Sequence, residues 1–442
     1  MNGISRWLWF GAGLLFALAP MAAQISTELI GKLPEPVANN AVVEGFVGDS
    51  AYVYSFAGID STKTSAGIHL RSYRVNVATG FAERLPDVPD TLGKVAAGAS
   101  RIGDIIYVIG GYHVFPDGSE KSSDRVHRFS VSQNAWLPDG AKVPVPIDDH
   151  VQAVWRDSLI YVVTGWSERT NVQDVQIYDP ATDTWRTGTQ LPNLRFYGAF
   201  GPSGTIVADT LYYFGGARMG TNFPITPYVR RGVIDSADPT QIAWTWQTPD
   251  NAVVGYRAAA TASNGELYWL GGSDITYNFD GLSYASNRGV PPSNEARRLV
   301  RDSLGSWVSY DAVLPMDLRG VGEVDDSVRV LVGGMVADQV VSDEVLAVTI
   351  GAATSTAISL VPGAAVRLFP NPTADVLSVT SDAELTSVEL FDAAGRRVLM
   401  RSPKGALSQN LSLAHLAAGT YTVVVTTVRG ERQKVSVVRA VK

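Results

Sequence analysis

Three arginines recur at equal intervals in this chain: Arg195, Arg257 and Arg319 are separated by 62 and 62 residues. Arg257 and Arg319 each stand 15 residues before the second glycine of a Gly-Gly pair, Gly272 and Gly334. Lys94 lies 17 before Gly111, and Asp149 lies 17 before Trp166. An odd offset in every case puts these side chains on one side of a regular strand, with His150 and Tyr256 on the other. Arg195 adjoins extra residues around Gly201-Pro202-Ser203-Gly204, which leave its register open. Cations gathered at one opening would hold a carboxylate or sulfate by bidentate contacts. The alternative is that they brace neighbouring elements through acids and backbone carbonyls. Asp148-Asp149-His150 is the densest titratable cluster, and it reads better as a turn before a strand than as an acid–base pair.

Other chemistry is excluded by residue type. The 442 residues contain no cysteine, so a thiolate zinc site, a cysteine nucleophile and a disulfide scaffold are ruled out. His69, His113, His127, His150 and His415 have no metal-ligand spacing, and no Asp-x-Asp-x-Asp-Gly calcium loop occurs. Neither a Gly-x-Ser-x-Gly elbow nor a phosphate loop is present. The expectation is no catalytic constellation, no metal and no cofactor.

The elements that would carry the candidate residues repeat. An apolar strand with Tyr, then one or two glycines, a polar loop and a second strand recur at Ala51–Gly58, Ile105–Gly111, Leu159–Gly165, Leu211–Gly216, Leu267–Gly272 and Val330–Gly334. Trp136, Trp185, Trp246 and Trp307 follow in repeats two to five, with Phe81 in the first. Asp179-Pro180-Ala181-Thr182-Asp183 is a turn, so Ile177 and Trp185 belong to adjacent antiparallel strands. Four short strands per repeat predict an all-β propeller with one blade per repeat.

The glycine doublets followed by Trp resemble the kelch repeat over about residues 26–350, with single-glycine versions at Gly58 and Gly165, and the propeller is expected to span residues 24–350. Six blades are expected. The sixth repeat stops one strand short, and Ser26–Pro34 looks like that missing fourth strand, so the N-terminal segment should close the ring. The resemblance implies that loops after the doublets crowd one rim. The longest, Ser273 to Glu295, carries Tyr277 and Tyr284 as ligand-binding candidates. Kelch-type copper radical oxidases need a Cys crosslinked to Tyr, which this chain lacks.

The ends read as transport signals. Arg6, an apolar run from Trp7 to Ala19 and Pro20-Met21-Ala22-Ala23 make a secretory signal peptide over residues 1–23, too short in its apolar part to span a bilayer. Residues 351–365 are a small-residue linker, and residues 366–442 are predicted to form a small antiparallel, Ig-like β-sandwich. Leu368-Phe369-Pro370-Asn371-Pro372-Thr373-Ala374-Asp375, the turn at Gly395, Gly419-Thr420-Tyr421 and the terminal Lys434-Val435 resemble the type A C-terminal sorting domain of type IX secretion. That resemblance implies passage across an outer membrane and removal of the tail.

Charge separates the segments: residues 24–350 carry a net charge of −12, and residues 351–442 carry +4. An acidic body repels phosphate backbones, so nucleic acid is not an expected partner, and no segment is long enough for an integral membrane protein. The leading expectation is a secreted or surface-attached protein, delivered by the type IX machinery, that binds a glycan or protein on its loop-rich rim. A sugar epimerase resembling the six-bladed kelch N-acetylneuraminate mutarotases, with the arginines holding a carboxylate, is the enzymatic alternative. A purely structural surface protein is the third.

Overall fold

A computed structural model describes residues 24–351 apart from 250–252 and 301–305, and residues 367–440 apart from 371–372, 393–396, 404 and 429–431. The expected signal peptide and nearly all of the expected linker lie outside the described residues. Two compact units separate at residues 352 and 353.

The first unit is a six-bladed propeller, as the repeats predict. Its blades begin at inner strands Ala41–Val47, Val95–Ile102, Val151–Trp155, Ser203–Val207, Ala259–Ser263 and Gly322–Glu323. Each continues outward through antiparallel neighbours to four strands, with a short fifth strand added in the second blade. The outermost strand of the sixth blade is Gln24–Lys32, which pairs with Glu344–Gly351 from Gln24 opposite Gly351 to Lys32 opposite Glu344. The chain therefore closes its ring with its own first described strand.

The glycine doublets are blade-to-blade contacts. The second glycine's N–H donates to a carbonyl of the next blade at Gly111 (Ile147 O, 2.9 Å), Gly216 (Gly255 O, 2.8 Å), Gly272 (Pro315 O, 3.0 Å) and Gly334 (Val37 O, 2.8 Å). The single glycines Gly58 and Gly165 do the same to Lys94 O and Ala199 O, at 2.9 and 2.8 Å. The preceding glycine must lack a side chain: a Cβ on Gly215 would sit 2.0 Å from Gly255 O, at a φ of +71° that other residues rarely adopt. Between the first two blades, Phe56, Ala97, Val108 and Phe129 fill one such interface.

A tryptophan fastens the outer strand to the preceding blade in the second, third and fourth blades, whereas Trp307 of the fifth is packed in the core with its indole N–H unpartnered. Trp136 Nε1 donates to Pro86 O at 3.0 Å, and Trp185 Nε1 to Ala141 O at 2.8 Å. In the fourth blade this role falls to Trp244, which donates to Thr189 O at 3.0 Å, and not to the expected Trp246. The first blade's Phe81 is 70% exposed and fills no such slot.

The second unit is all-β, built on one long strand, Val376–Phe391. Its first part pairs with Arg367–Phe369 and Ala406–Ser412, and its last part with Arg397–Arg401 and Gly419–Thr427. The partner change at an irregularity after Thr380 folds the strands around one core of Leu377, Val379, Leu390, Leu411, Val423 and Val437.

Candidate functional site

Each inner strand is entered through one residue in the left-handed region: Asn39 (φ 55°), Ala96 (57°), Asp149 (48°), Gly201 (65°), Arg257 (48°) and Asp317 (64°). Asn, Asp and Gly tolerate this conformation, whereas for Ala and Arg it costs about 1–2 kcal/mol. Hydrogen bonds between blades offset that strain. Ala96 N–H donates to Asn39 O (3.3 Å), Asp149 to Ala96 (3.1 Å), Gly201 to Asp149 (2.8 Å) and Arg257 to Gly201 (2.9 Å). Leu318 N–H donates to Arg257 O (3.0 Å), and Asn39 N–H to Asp317 O (3.1 Å) completes the circuit. A six-membered backbone belt thus encircles the propeller axis on the side of the doublet loops. Behind it the inner strands enclose a well of about 330 Å³ that reaches Glu44, Arg101 and Glu323 toward the opposite turns.

The candidate residues fall in four places. Arg257, Arg319, Asp149 and His150 meet at the belt. Arg257 is buried, donates to both oxygens of Asp149 (Nε to Oδ1 3.2 Å, Nη2 to Oδ2 2.7 Å) and reaches Asp317 Oδ1 at 3.1 Å. Arg319 adds a second contact to Asp149 Oδ1 at 3.0 Å and donates to His150 O at 3.2 Å. Burial raises the Asp149 carboxyl, but the two guanidinium groups outweigh it and hold Asp149 below the usual range. Asp317 has less help: burial, assisted by the Asp149 charge, pushes it up to about 6 despite Arg257. Burial lowers His150 to about 4, so it is neutral, with Nε2 3.1 Å from Gln152 Oε1 and Nδ1 without a partner. Burial and the Asp149 charge raise Asp148 well above an ordinary carboxyl, and it accepts the Ser122 hydroxyl at 2.6 Å.

Tyr256 and Tyr277 are fully buried beside this network, with the Arg257 guanidinium 5.1 and 5.4 Å from their ring centres. Tyr284 is half-buried and packs on Phe223 at 4.8 Å. The long loop thus folds its aromatic residues inward with Phe200, Val290 and Met335. Tyr256 and Tyr277 thus present no surface to solvent, where loop residues ordinarily would, and Tyr284 presents only part of its own.

Lys94 sits elsewhere, at the base of the loop between the first and second blades. It contacts Asp90 at 2.7 Å, His127 Nε2 at 3.0 Å and Ser123 Oγ at 3.2 Å. Burial lowers its pKa. Arg195 is exposed, away from the belt, with its guanidinium 5.1 Å from the Phe196 ring centre.

The doublet-side loops are tied to one another around the rim. Lys63 Nζ donates to Gln339 O (3.0 Å), Gln339 Nε2 to Val290 O (2.8 Å) and Thr276 Oγ1 to Phe223 O (2.8 Å). Met219 N–H donates to Asn171 Oδ1 (2.9 Å), and Glu168 N–H to Ser122 Oγ (3.3 Å). On this linked rim Met219, Ile275 and Val340 stand 56, 43 and 56% exposed on three successive blades. Sequence reasoning did not single out Met219 or Val340; apolar residues inside the polar doublet loops were the available signal.

Closed blades and glycine contacts define a kelch-type β-propeller, followed by a separate all-β unit. The Kelch motif matches residues 94–138 and 156–192, and a Secretion system C-terminal sorting domain matches residues 367–439. Such a tail marks type IX export to the cell surface or extracellular space. The chain is similar to Kelch-like protein 36 of Bos taurus (25% identical over 173 residues, 39% of this chain and 26% of that protein). It is also similar to Kelch-like protein 15 of Homo sapiens (27% over 115 residues, 26% of this chain and 18% of that protein). It spans about a quarter or less of these relatives' length. The solved "Structure of YjhT" shares the fold, with a TM-score of 0.56 and 16% identity, covering 72% of this chain and 97% of that one.

Proposed function

We propose that this protein is exported through a signal peptide over residues 1–23 and the type IX route, and acts as a binding protein whose loop-rich rim takes a glycan or protein ligand. The observation that carries this reading is the laterally tied rim. Loops held to their neighbours lose little conformational freedom on binding, so the exposed Met219, Ile275 and Val340 are preorganised. The belt supports it from below, because Arg257 is held by Asp149 and Asp317 and Arg319 pairs with Asp149, leaving only the Nε of Arg319, which lines the well, without a partner among the described residues. The epimerase alternative needs guanidinium groups open to a substrate carboxylate. Among the described residues no helix is long and apolar enough to cross a membrane.

The test is capture of ligands on a glycan array and from extracellular protein, comparing the full chain with the double variant Met219→Asp, Ile275→Asp. Both side chains are exposed, so the variant should melt with the wild type while losing capture. Undiminished capture by the double variant would remove the rim from the account. Deleting residues 275–290 is a poorer test, because it takes the buried Tyr277 and Val290 with it.

A further inference from the structure

Trp246 is surplus to the repeat. Trp244 makes the blade-fastening bond to Thr189 O, and Trp246, two residues on along the outer strand Ile242–Gln247, is released from that duty. It stacks on Phe196 with ring centres 4.2 Å apart and planes 6° from parallel, yet stays 39% exposed. Tyr228 meets it edge-on at 5.1 Å. Three elements of the fourth blade therefore converge at the rim's outer edge: the loop entering the inner strand, the start of the third strand, and the outer strand.

Two arginines adjoin this platform. Arg195 is exposed at Phe196, and no ion pair or hydrogen bond of its side chain occurs among the described residues. Beneath the aromatic groups lies Arg230, fully buried, with no carboxylate partner among the described residues. Its donors go to Phe196 O (2.8 Å), Gly215 O (2.7 Å), Tyr228 O (2.9 Å) and Thr226 Oγ1 (2.8 Å). Burial lowers it to about 10, so it keeps its charge at neutral pH. The same cation fixes the backbone of two of the three aromatic residues. A buried, uncompensated cation favours an anion nearby, and an exposed, unpaired guanidinium is ready to contact one.

We propose that Trp246, Phe196, Tyr228 and Arg195 form a binding site for an anionic saccharide. A pyranose ring lies against the Trp246 indole, its polarised C–H groups facing the electron-rich ring. A carboxylate or sulfate of the same or the neighbouring sugar unit pairs with Arg195. The patch is ring-sized: Thr248, two residues beyond Trp246, is exposed and polar and does not extend an apolar interface as a protein partner would need. This deepens the binding reading, but uses residues separate from Met219 and Ile275.

The experiment is calorimetric titration of the full chain with a galacturonic acid trimer, a neutral trisaccharide and a heparin-derived tetrasaccharide. Trp246→Ala, Arg195→Gln and the rim double variant run alongside, each checked by its melting temperature. The site predicts binding of at least one anionic probe, weakened at least tenfold by W246A. R195Q should lower that affinity about tenfold and bring it close to the neutral probe's. Which anionic probe binds tells carboxylate from sulfate. Loss in the rim double variant with W246A unaffected would overturn this site while leaving the rim reading intact. Binding of neither anionic probe, or equal affinity for the neutral one, would also overturn it.

Discussion

Replacing Arg257 by Met leaves Asp317 with no cation and Asp149 with Arg319 alone, in a site where all three side chains are at most 3% exposed. Removing one partner of a buried ion network costs about 3–5 kcal/mol, chiefly because the remaining charge is stranded. At about 2 °C per kcal/mol for a large domain, the melting temperature of R257M should fall by about 6–10 °C at pH 7.5. The penalty should depend on pH. In the wild type Asp317 is already raised to about 6, against 3.8 for an ordinary Asp. A carboxyl raised in the folded state contributes stability that is present at low pH and lost as pH rises through its folded value. Without Arg257 the Asp317 carboxyl goes higher still, so the R257M deficit should be largest above pH 7 and shrink toward pH 5. Differential scanning calorimetry of both proteins from pH 5 to 8 reads this out. R257M/D317N should recover about 1–2 kcal/mol of the loss at pH 7.5, since the stranded charge is gone. A deficit below about 1 kcal/mol, or one that stays flat with pH, would refute the account of the belt.

Deleting residues 24–32 should expose the edge of Glu344–Gly351 and cause aggregation, while removing residues 353–442 should leave the body's melting transition unchanged; light scattering and calorimetry distinguish the two. Trp244→Phe should cost about 1 kcal/mol through the lost bond to Thr189 O, and Trp246→Phe less than about 0.5, by denaturant unfolding. Burial holds His69 and His150 at about 4, so both contribute a loss of stability as pH falls from about 6.5 to 4; His150→Gln should flatten that slope in a pH series. Proton NMR of anomer exchange in N-acetylneuraminate should show no acceleration by the protein.

The blades were legible because each doublet glycine has one physical reason, close approach to the next blade's carbonyl, and that reason recurs with the repeat. The closing strand could be read because the sixth repeat stopped short. The grouping at the belt was only partly legible. Strand parity assumes regular alternation, and the left-handed residues Asp149, Arg257 and Asp317 break it where the chain enters the inner strands. Parity therefore grouped Lys94 with Arg257, although Lys94 lies with Asp90 and His127. Asp317 and Asn39 went unnoticed because their partners are distant in sequence: Arg257 lies 60 residues from Asp317, and Asn39 lies 278. Tyr277 and Tyr284 sit in a polar stretch, and only packing against Phe200, Phe223 and Tyr256 turns them inward.

The most direct test of the binding account is hydrogen–deuterium exchange of the full chain with and without a ligand taken from the capture screen. The account predicts slowed exchange in the doublet-side loops, residues 112–124, 217–228 and 273–295, with the turns on the opposite face unchanged. Protection confined to those opposite turns, at residues 47–50, 102–105 and 207–210, would contradict it.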